Sequence, residues 1–223
     1  MNVSYHTPDL NRVAFARTNP QTINQRIAIL QELLPNVKSI AEICCGDCSR
    51  QWEAYHQALN IETYCGLDIQ PEVVAANRAK GINCICGDAL DKATLSRFRA
   101  FDVIFFGPPL SVNCDGHTLL SFHEVVPGFA RFAHLLLGEL LYRGALVCVC
   151  PKATTMGDVR WLYNQMKKQR QDIGLRLIHY SHSTVTGAGV VTESRLKYIE
   201  LWFSDHLDDM WEVRKSEASA ISN

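Results

Sequence analysis

Apolar runs and helically spaced apolar positions alternate along this chain. Ile23, Ile27, Leu30 and Leu34 recur at helical spacing behind Asn19-Pro20, an N-cap followed by a first-turn proline, and Pro35-Asn36 closes the run. A short apolar strand with Ile40, Ala41 and Ile43 follows, and Ser49 onward reads as a helix whose inner face carries Trp52, Tyr55 and Leu59. The pattern then predicts a strand over 62–68, a helix over 71–80 closed by Gly81, a strand over 82–86, a short helix around 94–98 and a strand over 101–106. A loop over 107–118 leads into a long helix reaching Tyr142, kinked or split at Pro127-Gly128, then a strand over 145–150 and a helix over 158–173. The last strands, 175–180 and 197–203, are joined by a Gly-, Ser- and Thr-rich loop without a helix, which suits an antiparallel pair at a sheet edge.

Strands that alternate with helices and read as buried on both faces predict an α/β fold. The expected architecture is an open, mostly parallel seven-stranded sheet with helices on both faces and an antiparallel edge strand. One domain spans 1–204, with an N-terminal arm and helix over 1–37, and 205–223 reads as a polar C-terminal tail. In such a sheet ligands bind beyond the carboxyl ends of the strands, where the strand order reverses. The natural candidate is the strand-to-helix elbow Cys44 to Cys48, within KSIAEICCGDCSR.

Composition narrows the function classes. At 223 residues the chain can bury a full core without staples, and its nine cysteines are odd in number and sit mostly in apolar runs such as VCVC and INCIC. Together with the absence of a signal pattern in MNVSYHTPDL, they read as reduced thiols of a cytoplasmic protein. A net charge of −1 gives no strong basic footprint for nucleic acid. The most apolar long segment, 119–141, is broken by His123, Glu124, Pro127, Arg131, His134 and Glu139, and no membrane span is expected.

The elbow itself has two readings. Backbone N–H groups at a helix start hold polar ligands, which makes it a cofactor loop with Glu42 and Gly46 as working residues. Cys45-Gly46-Asp47-Cys48 is also a CxxC, the spacing of a thiol-redox or zinc site. Four strand ends arbitrate: Glu42 and Gly46 follow the first strand, Asp68 ends the second, Gly87-Asp88-Ala89 the third and Gly107-Pro108-Pro109-Leu110 the fourth. A thiol-redox site leaves Asp68, Asp88 and the proline pair unexplained. A nicotinamide-dependent dehydrogenase needs G-x-G-x-x-G at the elbow, which is absent.

Over roughly residues 38–203 this ordered set resembles the class I, Rossmann-like S-adenosylmethionine-dependent methyltransferases. The resemblance implies S-adenosylmethionine as cofactor and no metal. Glu42, Cys44 and Gly46 then line the loop under its methionine part, Asp68 and Ile69 meet the ribose side, and Asp88 and Ala89 meet the adenine side. The family's elbow often has glycine at three alternate positions; here they are Cys44, Gly46 and Cys48, and Cys48 is where the loop is expected to differ most. Gly107-Pro108-Pro109-Leu110 resembles the Asp/Asn-Pro-Pro-aromatic motif of methyltransferases acting on planar amino nitrogens, keeping only the prolines. Gly107 and Pro108 are thus expected to orient an acceptor through their carbonyls, with His117 as the candidate base. The implied reaction is N-methylation of a planar nitrogen, on an RNA or DNA base or a glutamine-like amide. Alternatives are a small-molecule methyltransferase, a non-catalytic S-adenosylmethionine-binding protein and, more distantly, the CxxC redox or zinc protein.

Overall fold

The computed structural model describes residues 16–89, 91–98, 100–107, 144–151, 156–180, 185–186, 198–207 and 211–215. The long helix expected before Tyr142, most of the 183–194 loop, and the candidate residues Pro108 and His117 lie outside these.

A two-residue strand, β1 (Ala16–Arg17), precedes helix α1 (Pro20–Leu33). Asn19 caps α1 as expected: its Oδ1 accepts a 2.8 Å bond from the Gln21 amide, and Pro20 sits in the first turn, where a missing N–H costs nothing. Then follow β2 (Ser39–Ile43), α2 (Ser49–Ala58), β3 (Thr63–Asp68), α3 (Pro71–Ala79), β4 (Cys84–Cys86), α4 (Lys92–Ser96) and β5 (Val103–Phe106). The second half has β6 (Ala145–Pro151), α5 (Met156–Gln169), β7 (Gly174–Tyr180), β8 (Val185–Thr186), β9 (Tyr198–Ser204) and β10 (Trp211–Lys215).

The main sheet has the order β10-β7-β9-β6-β5-β2-β3-β4, and β1 pairs separately with β8. All pairings in the main sheet are parallel except those of β9 with β6 and β7. The expected open, mostly parallel sheet with an antiparallel pair toward one edge is therefore present. It gains one strand: Trp211–Lys215, within the stretch expected as a polar tail, adds in parallel outside β7, so β7 is itself flanked on both sides. Its alternation of Trp211 and Val213 with charged neighbours is an edge-strand pattern, too short to stand out in a polar segment.

Side-chain alternation along the strands makes two cores. Ala41 and Ile43 of β2 join Leu67, Leu95, Leu162 and Met166 beneath α4 and α5. Ile40 faces the other way, with Leu30, Tyr55, Val74 and Trp202 beneath α1, α2 and α3. Chain order runs outward from β2 in both directions, to β3 and β4 on one side and to β5 and β6 on the other. The reversal falls between β2 and β5, where Gly107 donates its amide to the Ile43 carbonyl at 3.2 Å. Among the described residues no helix is long and apolar enough to cross a membrane.

Candidate functional site

At the carboxyl end of β2 the backbone reverses through two left-handed residues, Cys44 at φ 59° and Gly46 at φ 54°. Glycine adopts that conformation freely and cysteine does not, so the backbone strain of the loop sits at Cys44. Cys48 is fully buried, with φ −90°. The Cys45 amide donates to the Leu67 carbonyl at 3.0 Å, and the Asn77 side-chain amide donates to the Gly46 carbonyl at 2.8 Å, so β3 and α3 both hold the loop.

Asp68 is tied into the same turn. One carboxylate oxygen accepts from the Gly46 amide at 3.1 Å and the other from the Gln70 amide at 3.0 Å. Burial pushes its pKa up, and these amides oppose the shift. Next to it Ile69 is 64% exposed, a large apolar side chain presented at a strand end. Across the end of β4, Gly87 donates its amide to the Asp68 carbonyl at 3.0 Å, which brings Asp88 and Ala89 alongside. The Cys44 thiol lies within the field of both acids: burial raises its pKa, and Asp68 and Asp88 raise it further. Gly107, at the end of β5, has no atom of the described residues, its chain neighbours aside, within 4 Å of where a Cβ would stand.

Cys44, Gly46, Asp68, Ile69, Asp88, Ala89 and Gly107 are thus gathered at the carboxyl ends of β2 to β5. Glu42 is placed differently. It is 4% exposed and shares the face of β2 under α1 and α2, where Arg26 Nη1 lies 3.7 Å from Oε1 and Gln51 Nε2 donates to Oε2 at 3.3 Å. Burial raises its pKa from the ordinary 4.5 to about 7, against the pull of the Arg26 guanidinium. Arg26 also pairs with Glu200 of β9 at 2.7 Å and lies 4.5 Å from the centre of the Phe105 ring of β5, and so links α1 to three strands. Trp202 Nε1 donates to the second Glu200 oxygen at 3.1 Å.

Reading the chain residue by residue missed Arg26, Asp47, Asn77 and Lys80. Asp47 is buried and takes up part of the helix start expected to be open: it accepts from the Ser49 amide at 3.2 Å and hydroxyl at 2.6 Å, and Lys80 Nζ pairs with it at 2.9 Å. The available signal for Arg26 was its place on the apolar face of α1, three residues after Ile23 and four before Leu30. Among the described residues no group of three or more His, Cys, Asp or Glu side chains is arranged to hold a metal ion.

The fold defined by this topology is that of the Rossmann-like class I methyltransferases. Among solved structures, the chain is similar to the plantazolicin methyltransferase BpumL in complex with SAH, with 14% identity, a TM-score of 0.55, and coverage of 88% of this chain and 86% of that one. The same enzyme bound to a monoazolic desmethylPZN analog and SAH gives a TM-score of 0.57 at 14% identity, with the same 88% and 86% coverage. The plantazolicin methyltransferase BamL, with a triazolic desmethylPZN analog and SAH, gives 0.53 at 12% identity, covering 82% of this chain and 85% of that one. No protein-family model matches the chain, and no curated protein matches it by sequence.

Proposed function

We propose that this protein is an S-adenosylmethionine-dependent methyltransferase. The observation that carries the reading is the convergence of Gly46, Asp68, Ile69 and Asp88 at the topological switch point of a fold whose similar structures hold SAH. These residues fit the cofactor chemically. Asp68 has two acceptor oxygens at a strand end for the ribose hydroxyls, beyond the bonds it takes from Gly46 and Gln70. Exposed Ile69 and partly buried Ala89 provide apolar contacts on the nucleoside, with Asp88 beside the adenine amino group. The left-handed turn at Cys44 and Gly46 presents backbone, rather than side chain, to the methionine part. In this reading Glu42 acts from beneath, bracing the elbow strand against α1 and α2.

When bound, the cofactor supplies a methyl group made electrophilic by its sulfonium. The chain's part is alignment of the acceptor and exclusion of water. Gly107 stands at the end of β5, and its carbonyl with that of Pro108 would orient an amino nitrogen, with His117 as the candidate base. Our preferred acceptor is a planar nitrogen, on an RNA or DNA base or a glutamine-like amide, which sheds its proton after transfer. A small-molecule acceptor is the second reading, supported by the net charge of −1. Eight free cysteines among the described residues favour a reducing compartment, and we place the protein in the cytoplasm.

Incubation with methyl-labelled S-adenosylmethionine and separate pools of RNA, DNA, protein and small metabolites tests this, label in protein supporting the amide acceptor. Label in a nucleic-acid pool supports the base-directed reading, and label in metabolites alone supports the second. Absence of transfer to any pool, with cofactor bound, contradicts the enzymatic assignment.

A further inference from the structure

Directly beneath the elbow lies a thiol pair that methyl transfer does not use. Cys45 Sγ is 3.8 Å from Cys84 Sγ, and the residues are 7% and 1% exposed. Their approach is built by the fold. The Cys45 amide is anchored on Leu67, while Cys84 stands in register beside Gly66 on the neighbouring strand. Gly66 leaves the room in which the sulfurs meet: a Cβ there would stand 2.9 Å from Cys45 Sγ and 3.1 Å from Cys84 Sγ. Asn77 Nδ2 is 3.9 Å from each sulfur, so one amide faces both. Cys48, the CxxC neighbour, also lies against Cys45; the 3.8 Å sulfur contact and the space left by Gly66 point across to β4.

We propose that Cys45 and Cys84 form a thiol–disulfide site, closed by an oxidant of the peroxide class, that cross-links the elbow to β4. Cys84 is the better attacking thiol, because the Cys45 S–H and the Asn77 amide donate toward its sulfur and lower its pKa. Cys84 thiolate attacks one peroxide oxygen and the O–O bond breaks. The departing hydroxide takes a proton and leaves as water, and Cys84 becomes a sulfenic acid. Cys45 sulfur then attacks the Cys84 sulfur, the S–S bond forms, and the S–O bond breaks, the second water carrying off the Cys45 proton. Two thiols and one peroxide give one disulfide and two waters, with sulfur oxidised by two electrons and peroxide reduced by two.

Because the pair is buried, the oxidant enters through local opening of the elbow. Joining the sulfurs shortens their separation from 3.8 Å to about 2 Å and draws Cys45 toward β4. Gly46 must follow, and its amide and carbonyl are the groups that engage Asp68 and Asn77. Oxidation therefore weakens any ligand held by the elbow and Asp68, a consequence that rests on the cofactor reading. The cross-link itself does not.

The full chain, reduced and then treated with hydrogen peroxide at a few equivalents, is blocked with N-ethylmaleimide and mapped by peptide mass spectrometry. A Cys45–Cys84 peptide as the main cross-link is expected, with S-adenosylhomocysteine affinity reduced several-fold and restored by dithiothreitol. A Cys45–Cys48 product, or Cys45 and Cys84 both alkylated after oxidation, overturns the site; full affinity in the cross-linked protein overturns its coupling to the elbow. Cys84→Ala should abolish the cross-link, and the wild-type map decides alone if that variant does not fold. Should the cross-link map while the reduced chain fails to bind S-adenosylhomocysteine, the thiol site stands and the cofactor reading falls.

Discussion

Glu42→Gln probes the buried charge under the elbow. Burial moves the Glu42 pKa from 4.5 to about 7, so the folded chain holds a proton that the unfolded chain has released between these values. Stability rises with pH where the unfolded state binds more protons; here the folded state binds more, so the contribution falls as pH climbs through the window. The penalty is absent below 4.5 and complete above about 7. At roughly 1.4 kcal/mol per pKa unit it amounts to about 3 kcal/mol, and for a domain of this size to a melting shift of about 6–12 °C. Glutamine keeps the shape and the Gln51 neighbour without a titrating proton. Thermal melts of both proteins from pH 4 to 8 isolate the effect as the difference between them. The wild type should match or exceed Glu42→Gln at the acid end and lose ground steadily to about pH 7, with a flat difference beyond. A difference that is constant with pH would show that the Arg26 attraction balances burial, and one in which the wild type gains as pH rises that it outweighs burial; either refutes the reasoning.

Two further substitutions test the packing beneath the site. Arg26→Met leaves Glu200, fully buried, without its 2.7 Å guanidinium partner, and should cost about 3–5 kcal/mol in urea unfolding; a loss below about 1 kcal/mol would mean the pair contributes little. Gly66→Ala forces a methyl group to within 2.9 Å of Cys45 Sγ, so it should destabilise the chain by about 1–3 kcal/mol and suppress the Cys45–Cys84 cross-link, and unchanged stability would contradict the described crowding.

What could be read from the chain alone follows a physical division. The elbow, the strands around it and the acids at their ends are local: Ile40, Ala41 and Ile43 announce a buried strand, and Asp68 and Asp88 each close an apolar run. The Arg26–Glu200 pair spans 174 positions, and each partner alone looks like one polar interruption of an apolar pattern. The thiol pairing was hidden for the same reason, since sequence proximity favours Cys48 whereas strand register delivers Cys84. β10 escaped because an edge strand needs few apolar residues. The strain at Cys44 was unreadable because a backbone angle is set by the closed turn, which bonds to β3 and α3 impose.

The central claim is that the elbow and Asp68 hold S-adenosylmethionine, and isothermal titration of S-adenosylhomocysteine into the reduced wild type and Asp68→Ala tests it most directly. The wild type should bind at one site. Hydrogen bonds to a charged acceptor contribute about 1.5–3 kcal/mol, so the variant should bind about 10- to 100-fold more weakly. No heat of binding to the wild type, or equal affinity in Asp68→Ala, would contradict the account.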